Sequence, residues 1–160
     1  MKFPSVTGSN LSGQRYNLPQ DFEGTYNIVL IVYQRFQQRN VDSWGSLLER
    51  LARKYPSLHY YELPTLSNYG WIQQRFIDGG MRGGIPDKTV RARTITLYLD
   101  VKKFNAELNL ATIDEIYVLL VDKQGEVLWR ASGDYTPEQD DILSQRLAEL
   151  FAESNEIGRV

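Results

Sequence analysis

Apolar residues are distributed along the chain in patterns that divide it into strands and helices. Residues 27–33 form a β-branched apolar run without polar alternation, which is typical of a strand buried on both faces of a sheet. Leucines at helical spacing follow at 47–51, with Ser43 as the predicted N-cap, and Pro56 ends this helix. Residues 58–63 form the next strand. This order predicts a right-handed βαβ unit with parallel strands.

The segments on either side of this unit also carry clear patterns. Residues 1–26 predict an N-terminal arm or hairpin, with short strands around Val6 and at 16–18. Two strands within 115–131, joined by a turn at 122–125, predict a second hairpin. Thr136, Pro137 and Gln139 then mark the start of a closing helix, because they combine an N-cap, a first-turn proline and a capping box.

The middle of the chain predicts an insertion before the second hairpin. A short helix is expected at 68–77, a flexible glycine-rich loop at 79–86, a strand at 93–99 and another helix at 102–110. A βαβ unit, a hairpin and a final helix are in the order of a thioredoxin fold. We therefore predict an α/β chain with a central mixed sheet flanked by helices, forming one domain over 1–160 with a flexible tail at 152–160.

Composition narrows the chemistry that this fold can perform. The chain has 160 residues, no cysteine, one histidine (His59) and a net charge of −2. The absence of cysteine excludes disulfides, thiolate metal sites and a cysteine nucleophile. The longest apolar runs are six residues, whereas a membrane-spanning helix needs about 20. We expect no metal, no cofactor and no nucleic-acid partner, and a cytoplasmic location with peripheral membrane contact as an alternative.

Several segments resemble a known family. Phe3-Pro4, Asn10-Leu11-Ser12-Gly13 and Leu18-Pro19 precede the long strand in a way that resembles redoxin and peroxiredoxin-like domains. A more particular set consists of Val41-Asp42-Ser43-Trp44, Tyr98-Leu99-Asp100, Lys103-Phe104-Asn105, the run from Ile116 to Trp129, Ser132-Gly133 and Thr136-Pro137-Glu138. This set resembles the mitochondrial ATPase complex assembly protein family, a divergent thioredoxin-like family. The resemblance implies a non-enzymatic chaperone that associates with a membrane subunit of the ATP synthase. It also implies an organellar location if the chain is a relative of the mitochondrial or plastid members.

Redox chemistry is not expected at the position where active thioredoxin-like domains perform it. In those domains a thiolate lies in the loop after the first central strand, at a helix N-terminus that lowers its pKa. Here residues 34–42 offer only amide, guanidinium, apolar and carboxylate groups, and Ser43 has no histidine base nearby in sequence. No proline lies between Pro86 and Pro137, so the cis-proline that faces the thiol in active redoxins is also absent.

Recognition of a partner protein is the remaining function of this loop. Arg35, Phe36, Arg39 and Trp44 are residue types that are common at interfaces, although Phe36 and Trp44 could instead pack on the core. The segment 75–103 carries seven basic and three acidic residues. Its candidate contacts to an acidic protein face or to anionic lipid are Arg82, Arg91 and Arg93, with a solvated surface as the alternative.

The sequence therefore predicts a non-redox binding protein that acts as an assembly factor. Two alternatives stay open. One is a cysteine-less redoxin-like enzyme that uses glutathione or another external thiol, bound near Arg35 or Ser43. The other is a structural subunit of a larger complex, which would expose a large contiguous apolar patch.

Overall fold

The computed structural model describes residues 1–67 and 88–157. The predicted helix at 68–77 and the glycine-rich loop at 79–86 lie outside these ranges. The described strands are β1 (Val6–Asn10), β2 (Arg15–Leu18), β3 (Tyr26–Val32), β4 (Leu58–Leu66), β5 (Ile95–Tyr98), β6 (Tyr117–Asp122) and β7 (Val127–Ser132). The described α-helices are α1 (Gln38–Asp42), α2 (Gly45–Lys54), α3 (Lys88–Arg93), α4 (Val101–Glu107) and α5 (Pro137–Ile157).

The described strands form one mixed sheet in the order β2-β1-β5-β4-β3-β6-β7. β3 is an interior strand, parallel to β4 and antiparallel to β6. Six of its seven residues are buried, which explains why its sequence is apolar without alternation. The predicted βαβ unit, the hairpin of β6 and β7 and the closing helix are confirmed, and with them the thioredoxin-like α/β fold.

The N-terminal hairpin is part of the same sheet. β1 pairs antiparallel with β2 on one side and with β5 on the other. Gly8 lies where β1 approaches β5 closely, because a Cβ at this position would lie 2.7 Å from Leu97 Cδ2 and from the Thr96 carbonyl oxygen. Residues 6–18 are therefore joined to β5, the strand that was predicted within the insertion.

Each face of the sheet packs on its own apolar cluster. The cluster on the α4 side includes Phe3, Phe22 and Phe104, whose rings meet edge-on. The opposite cluster joins α1, α2 and α5 through residues such as Trp44 and Leu147. No helix within 1–67 or 88–157 is both long and apolar enough to cross a bilayer.

Several local expectations were wrong. The polar stretch after β3 is not an open loop, because a 3₁₀ turn at Arg35–Gln37 and helix α1 occupy it. Ser43 is not the N-cap of α2, since Trp44 holds that position. Helical spacing in the sequence groups Ile142 with Leu143 and Leu147 in the apolar stripe of α5, but Ile142 is 54% exposed. The helix itself continues to Ile157, so the tail expected from residue 152 is helical through 157.

A carboxylate at the start of α5 joins this helix to α2. Asp140 accepts hydrogen bonds from Tyr135 Oη at 2.6 Å, Arg50 Nη2 at 2.7 Å and Ser144 Oγ at 2.9 Å. Burial raises the pKa of the Asp140 carboxyl, but these three hydrogen bonds and the charge of Arg50 outweigh burial and lower that pKa below its ordinary value of 3.8. The ionised carboxylate therefore stabilises the folded chain.

This arrangement predicts an acid-dependent contribution to stability. Because the folded pKa of Asp140 is depressed, its contribution is complete above the unfolded value and is lost as pH falls through the folded value. We expect Asp140→Asn to unfold at a lower urea concentration than the wild type near neutral pH, with the difference closing below about pH 3.8. The control is Asp141→Asn, because Asp141 is the adjacent aspartate and is exposed. A difference that persists unchanged in acid would contradict this role of the carboxylate.

Candidate functional site

The candidate site lies at the carboxyl end of β3, where the chain passes into the 3₁₀ turn. Gln37 is completely buried there. Its Oε1 accepts from the main-chain N–H of Tyr33 at 2.8 Å and from that of Gln34 at 3.1 Å. The side chain of Gln37 thus satisfies main-chain donors at the end of the strand, and the chain turns directly into helix. Helical periodicity in the sequence does not reveal this tertiary role.

The same glutamine ties this turn to the segment that leads into β6. Gln37 Nε2 donates to the Ile113 carbonyl oxygen at 2.8 Å, and Gln34 Nε2 donates to the same oxygen at 3.3 Å. Ile113 is 45% exposed. Neither Gln37 nor Ile113 stands out in the sequence as part of a site, because their link joins residues 76 positions apart.

A pair of tyrosines lies beneath this link. Tyr33 Oη donates to Asn105 Oδ1 at 2.8 Å, and the rings of Tyr33 and Tyr117 meet edge-on at 6.1 Å. Burial, followed by the neighbouring Tyr117, raises the pKa of Tyr33, so its phenol stays protonated and donates. Tyr117 Oη donates to the Thr112 carbonyl oxygen at 3.0 Å. Hydrogen bonds from the two phenol groups therefore hold Tyr33 to Asn105 and Tyr117 to Thr112.

The residues predicted on the loop fall into two groups. Arg35, Phe36 and Arg39 are exposed, and the Phe36 side chain is 66% exposed. Trp44 is fully buried, and its Nε1 donates to the Gly133 carbonyl oxygen at 3.0 Å. Trp44 therefore packs in the core, which is the alternative that the sequence left open for this position.

The structure describes two of the three basic residues predicted farther along the chain, Arg91 and Arg93. Arg82 lies outside the described residues. Arg91 and Arg93 are half-buried on α3, and the Arg93 guanidinium stacks on the Tyr60 ring at 4.0 Å. Arg93 also lines a cleft of about 280 Å³ whose other wall includes Gln38 and residues of α2. Arg93, placed in a strand by the sequence analysis, in fact ends a helix.

A larger groove begins at Ile113. It has a volume of about 920 Å³ and lies at the carboxyl ends of β4 and β5. Its apolar lining includes Leu99, Val101, Ala106, Leu110 and Ile113. The candidate site therefore combines the exposed Phe36 with this groove. Ile113 connects the two, because its carbonyl oxygen accepts from Gln37 in the turn and the residue also lines the groove.

The chemical groups of this site suit binding. Ser43 Oγ donates to the Asn40 carbonyl oxygen at 2.6 Å and accepts from Tyr135 N at 3.0 Å. The hydroxyl therefore has structural partners on both sides. Among residues 1–67 and 88–157, no group of three acidic or histidine side chains could hold a metal ion.

The fold is that of a thioredoxin-like domain, and the turn after β3 contains a buried glutamine and no cysteine. Solved structures agree on the fold. BsSco, of the Sco family of cytochrome c oxidase assembly proteins, has a TM-score of 0.59 at 13% identity, with 90% of each chain covered. Etrx1, the exposed lipoprotein thioredoxin of Streptococcus pneumoniae, has a TM-score of 0.57 at 15% identity, covering 91% of this chain and 99% of its own.

Yeast Sco1, solved with copper bound, is similar at a TM-score of 0.57 and 12% identity, with 92% of each chain covered. No curated protein matches the chain. The sequence model of the ATP10 protein family matches residues 1–150, and the chain therefore belongs to this family. The family resemblance found in the sequence is confirmed.

Proposed function

We propose that this protein is a non-redox binding protein that assists the assembly of a protein complex. Its family makes the membrane sector of the ATP synthase the favoured complex. One observation carries the proposal: the loop that holds the thiol in redox-active thioredoxin-like domains instead presents Phe36, 66% exposed, next to a buried Gln37 whose Oε1 and Nε2 are both hydrogen-bonded.

An exposed phenylalanine in this setting is suited to protein recognition. Aromatic residues and arginine are enriched at protein interfaces, and Phe36 is flanked by the exposed Arg35 and Arg39. The hydrogen bonds of Gln34 and Gln37 to the Ile113 carbonyl hold this turn against the segment before β6. Little order would have to be gained on binding, which favours affinity.

The alternative of an enzyme that borrows glutathione has no comparable support. A serine nucleophile needs an adjacent base, whereas the Ser43 hydroxyl contacts a carbonyl oxygen and a main-chain N–H. Incubation of the purified protein with glutathione and a peroxide is expected to show no turnover above background. Measurable turnover would contradict the proposal.

Crosslinking in the native cell tests the partner directly. A photoreactive phenylalanine analogue at position 36 is expected to form an adduct with a membrane subunit of the ATP synthase, because the side chain points into solvent. The same analogue at Ile142, an exposed apolar position on α5, is the matched control. Adducts at both positions alike, or at neither, would contradict a binding surface centred on Phe36.

Alanine substitution separates binding from folding. The triple variant Arg35→Ala, Phe36→Ala and Arg39→Ala is expected to unfold within about 0.5 kcal/mol of the wild type, because the three side chains are exposed. In the cell it should lower the amount of assembled ATP synthase. Normal assembly with this variant as the sole copy would rule out the loop as the recognition surface.

A further inference from the structure

The two end strands of the described sheet, β2 and β7, differ in how their outer main-chain groups are used. On β2, the Asp21 carboxylate accepts from Asn17 N at 2.6 Å, and Asp21 N donates to the Asn17 carbonyl oxygen at 2.9 Å. The chain itself therefore closes the β2 edge at Asn17. An edge strand whose main-chain groups stay open is a template for a further strand.

The first part of the β7 edge already holds an extended segment of the same chain. Lys2 pairs antiparallel with Glu126 just before β7. Val127 N, at the start of β7, donates to the Met1 carbonyl oxygen at 2.9 Å. The geometry of this edge therefore accepts an added strand, and the pairing with the N-terminal segment ends at Val127.

The rest of the β7 edge is open, because the main-chain groups of Arg130 and Ser132 point away from β6. Gly133 N donates to the Ile116 carbonyl oxygen at 3.0 Å, so these two residues form a hydrogen-bonded pair. Antiparallel pairs alternate, so the next pair, Ser132 with Tyr117, is not hydrogen-bonded. The same alternation turns Arg130 outward. Both Arg130 and Ser132 are exposed, so these N–H and C=O groups face solvent.

The side chain of Arg130 does not cover this part of the edge. Its Nη1 donates to the Leu108 carbonyl oxygen at 2.8 Å, and its Nη2 donates to the Asn109 carbonyl oxygen at 3.1 Å, at the end of α4. A charged side chain on an edge strand otherwise discourages pairing. Here the guanidinium is held against the α4 side of the sheet.

The two sides of the open edge differ in polarity. On the α5 side, Trp129 and Ala131 are half-buried and pack on the apolar cluster of that face. On the other side, Ser132 lines a depression of about 450 Å³ together with Arg130 and Glu115. Since both signs of charge line this depression, it favours uncharged polar side chains. Side chains alternate between the two faces of a strand, so a strand added here alternates apolar and uncharged polar residues.

A second copy of this chain does not suit the open edge. The cluster that holds α5 on the sheet includes residues of β6 and β7, so pairing two β7 strands would bring two α5 helices side by side. The exposed carboxylates of α5 are Glu138, Asp141, Glu149 and Glu153. Its one basic residue, Arg146, already pairs with Glu149 at 3.8 Å. Repulsion between like charges therefore favours a different protein as the occupant.

The open edge lies at the same end of the sheet as Phe36. Ser132 pairs with the first residue of β6, which in turn pairs near the carboxyl end of β3. Asn40 Nδ2 of α1 also donates to Asp134 Oδ1 at 2.6 Å, two residues after β7. One partner protein can therefore contact both Phe36 and the edge.

We propose that the outer edge of β7 at Arg130–Ser132 pairs with an extended segment of the partner protein in which apolar and uncharged polar residues alternate. The outward N–H and C=O groups of Arg130 and Ser132 bond to the main chain of this segment. Its apolar side chains pack beside Trp129. This inference rests on the proposed binding function and adds the way in which the partner is held.

Proline at position 132 tests the main-chain pairing. Ser132→Pro deletes the outward N–H and leaves the bonds to β6 in place, because an edge strand accepts proline where its N–H faces solvent. Ser132→Ala removes the hydroxyl but keeps the N–H, so it is the matched control. With the photoreactive phenylalanine analogue at position 36, we expect about tenfold less adduct with the ATP synthase subunit for Ser132→Pro. Ser132→Ala should give the wild-type yield.

A second measurement does not depend on the folding of the proline variant, which urea unfolding of the purified chain checks. The photoreactive analogue is placed at Ser132 in the otherwise unchanged chain, and we expect an adduct with the same subunit as at Phe36. The control position is Asn17, which is exposed on the closed edge of β2. It should give no adduct with that subunit.

Three results would overturn the inference. They are an undiminished Phe36 adduct in a folded Ser132→Pro variant, an equal loss of adduct in Ser132→Ala, and an adduct from position 132 to a second copy of this chain. The proposed function fails separately, when the wild-type chain gives no specific adduct at Phe36. A specific adduct at Phe36 with none at Ser132 would reject only the pairing at β7.

Discussion

Replacing Gln37 with leucine is expected to lower the free energy of unfolding by about 3 kcal/mol or more. The carboxamide of Gln37 is the side-chain partner of Tyr33 N, Gln34 N and the Ile113 carbonyl oxygen. Leucine fills nearly the same volume but serves none of these groups, and an unsatisfied buried polar group costs about 1–3 kcal/mol. Tyr33 N is buried, so water does not replace its lost bond without rearrangement, whereas the Ile113 carbonyl oxygen keeps the hydrogen bond from Gln34 Nε2.

Urea unfolding followed by circular dichroism measures this effect. The matched control is Gln38→Leu, because Gln38 is the adjacent glutamine and its side chain, among residues 1–67 and 88–157, bonds the exposed carboxylate of Asp42. We expect the control to stay within about 0.5 kcal/mol of the wild type. Equal stability of the two variants would show that Gln37 does not hold the turn against the segment before β6.

Replacing Trp44 with alanine is expected to cost about 4 kcal/mol of unfolding free energy. The indole is fully buried. It meets the rings of Trp129 and Tyr135 edge-on at 6.3 and 5.8 Å, and it donates to the Gly133 carbonyl oxygen. Alanine leaves a cavity between α2 and β7 and leaves that carbonyl without its donor, so two separate losses add.

Trp44→Phe divides these two contributions. Phenylalanine keeps an aromatic ring in the cluster but cannot donate to Gly133, so its cost should be well below that of alanine. Thermal unfolding of both variants gives the comparison. If Trp44→Ala lowers the free energy of unfolding by less than about 1 kcal/mol, the effect is that of an exposed residue. This result would restore Trp44 as a candidate for partner binding.

Segments with strong local signals were predicted well from the sequence. The buried strand β3 is apolar from Ile28 to Val32, and the turn between β6 and β7 has Asp122 and Gly125 where a tight connection needs them. Asp122 Oδ1 accepts from two main-chain N–H groups in this turn, and Gly125 has a φ of 85°. The start of α5 was also correct, since Thr136 Oγ1 accepts from Gln139 N.

The parts of the site that were missed depend on contacts between distant residues. Gln37 reads as one of several polar residues after β3, yet its partner Ile113 lies 76 positions away. Trp44 follows a polar stretch, and only the packing of α2 against β7 and α5 shows that it is enclosed. Hydrophobic periodicity describes which residues share a face of one element, not which element covers that face.

The sequence alone determined that this chain has no thiol chemistry of its own, because it contains no cysteine. It also determined that the apolar pattern builds a thioredoxin-like sheet, because short-range periodicity is a property of the chain itself. Only the tertiary structure decided that Phe36 faces solvent while Trp44 is enclosed. It also decided that a glutamine joins two distant turns and that Asn105 lines a groove. These outcomes depend on which surfaces meet when the elements pack, and that geometry is set by the whole fold.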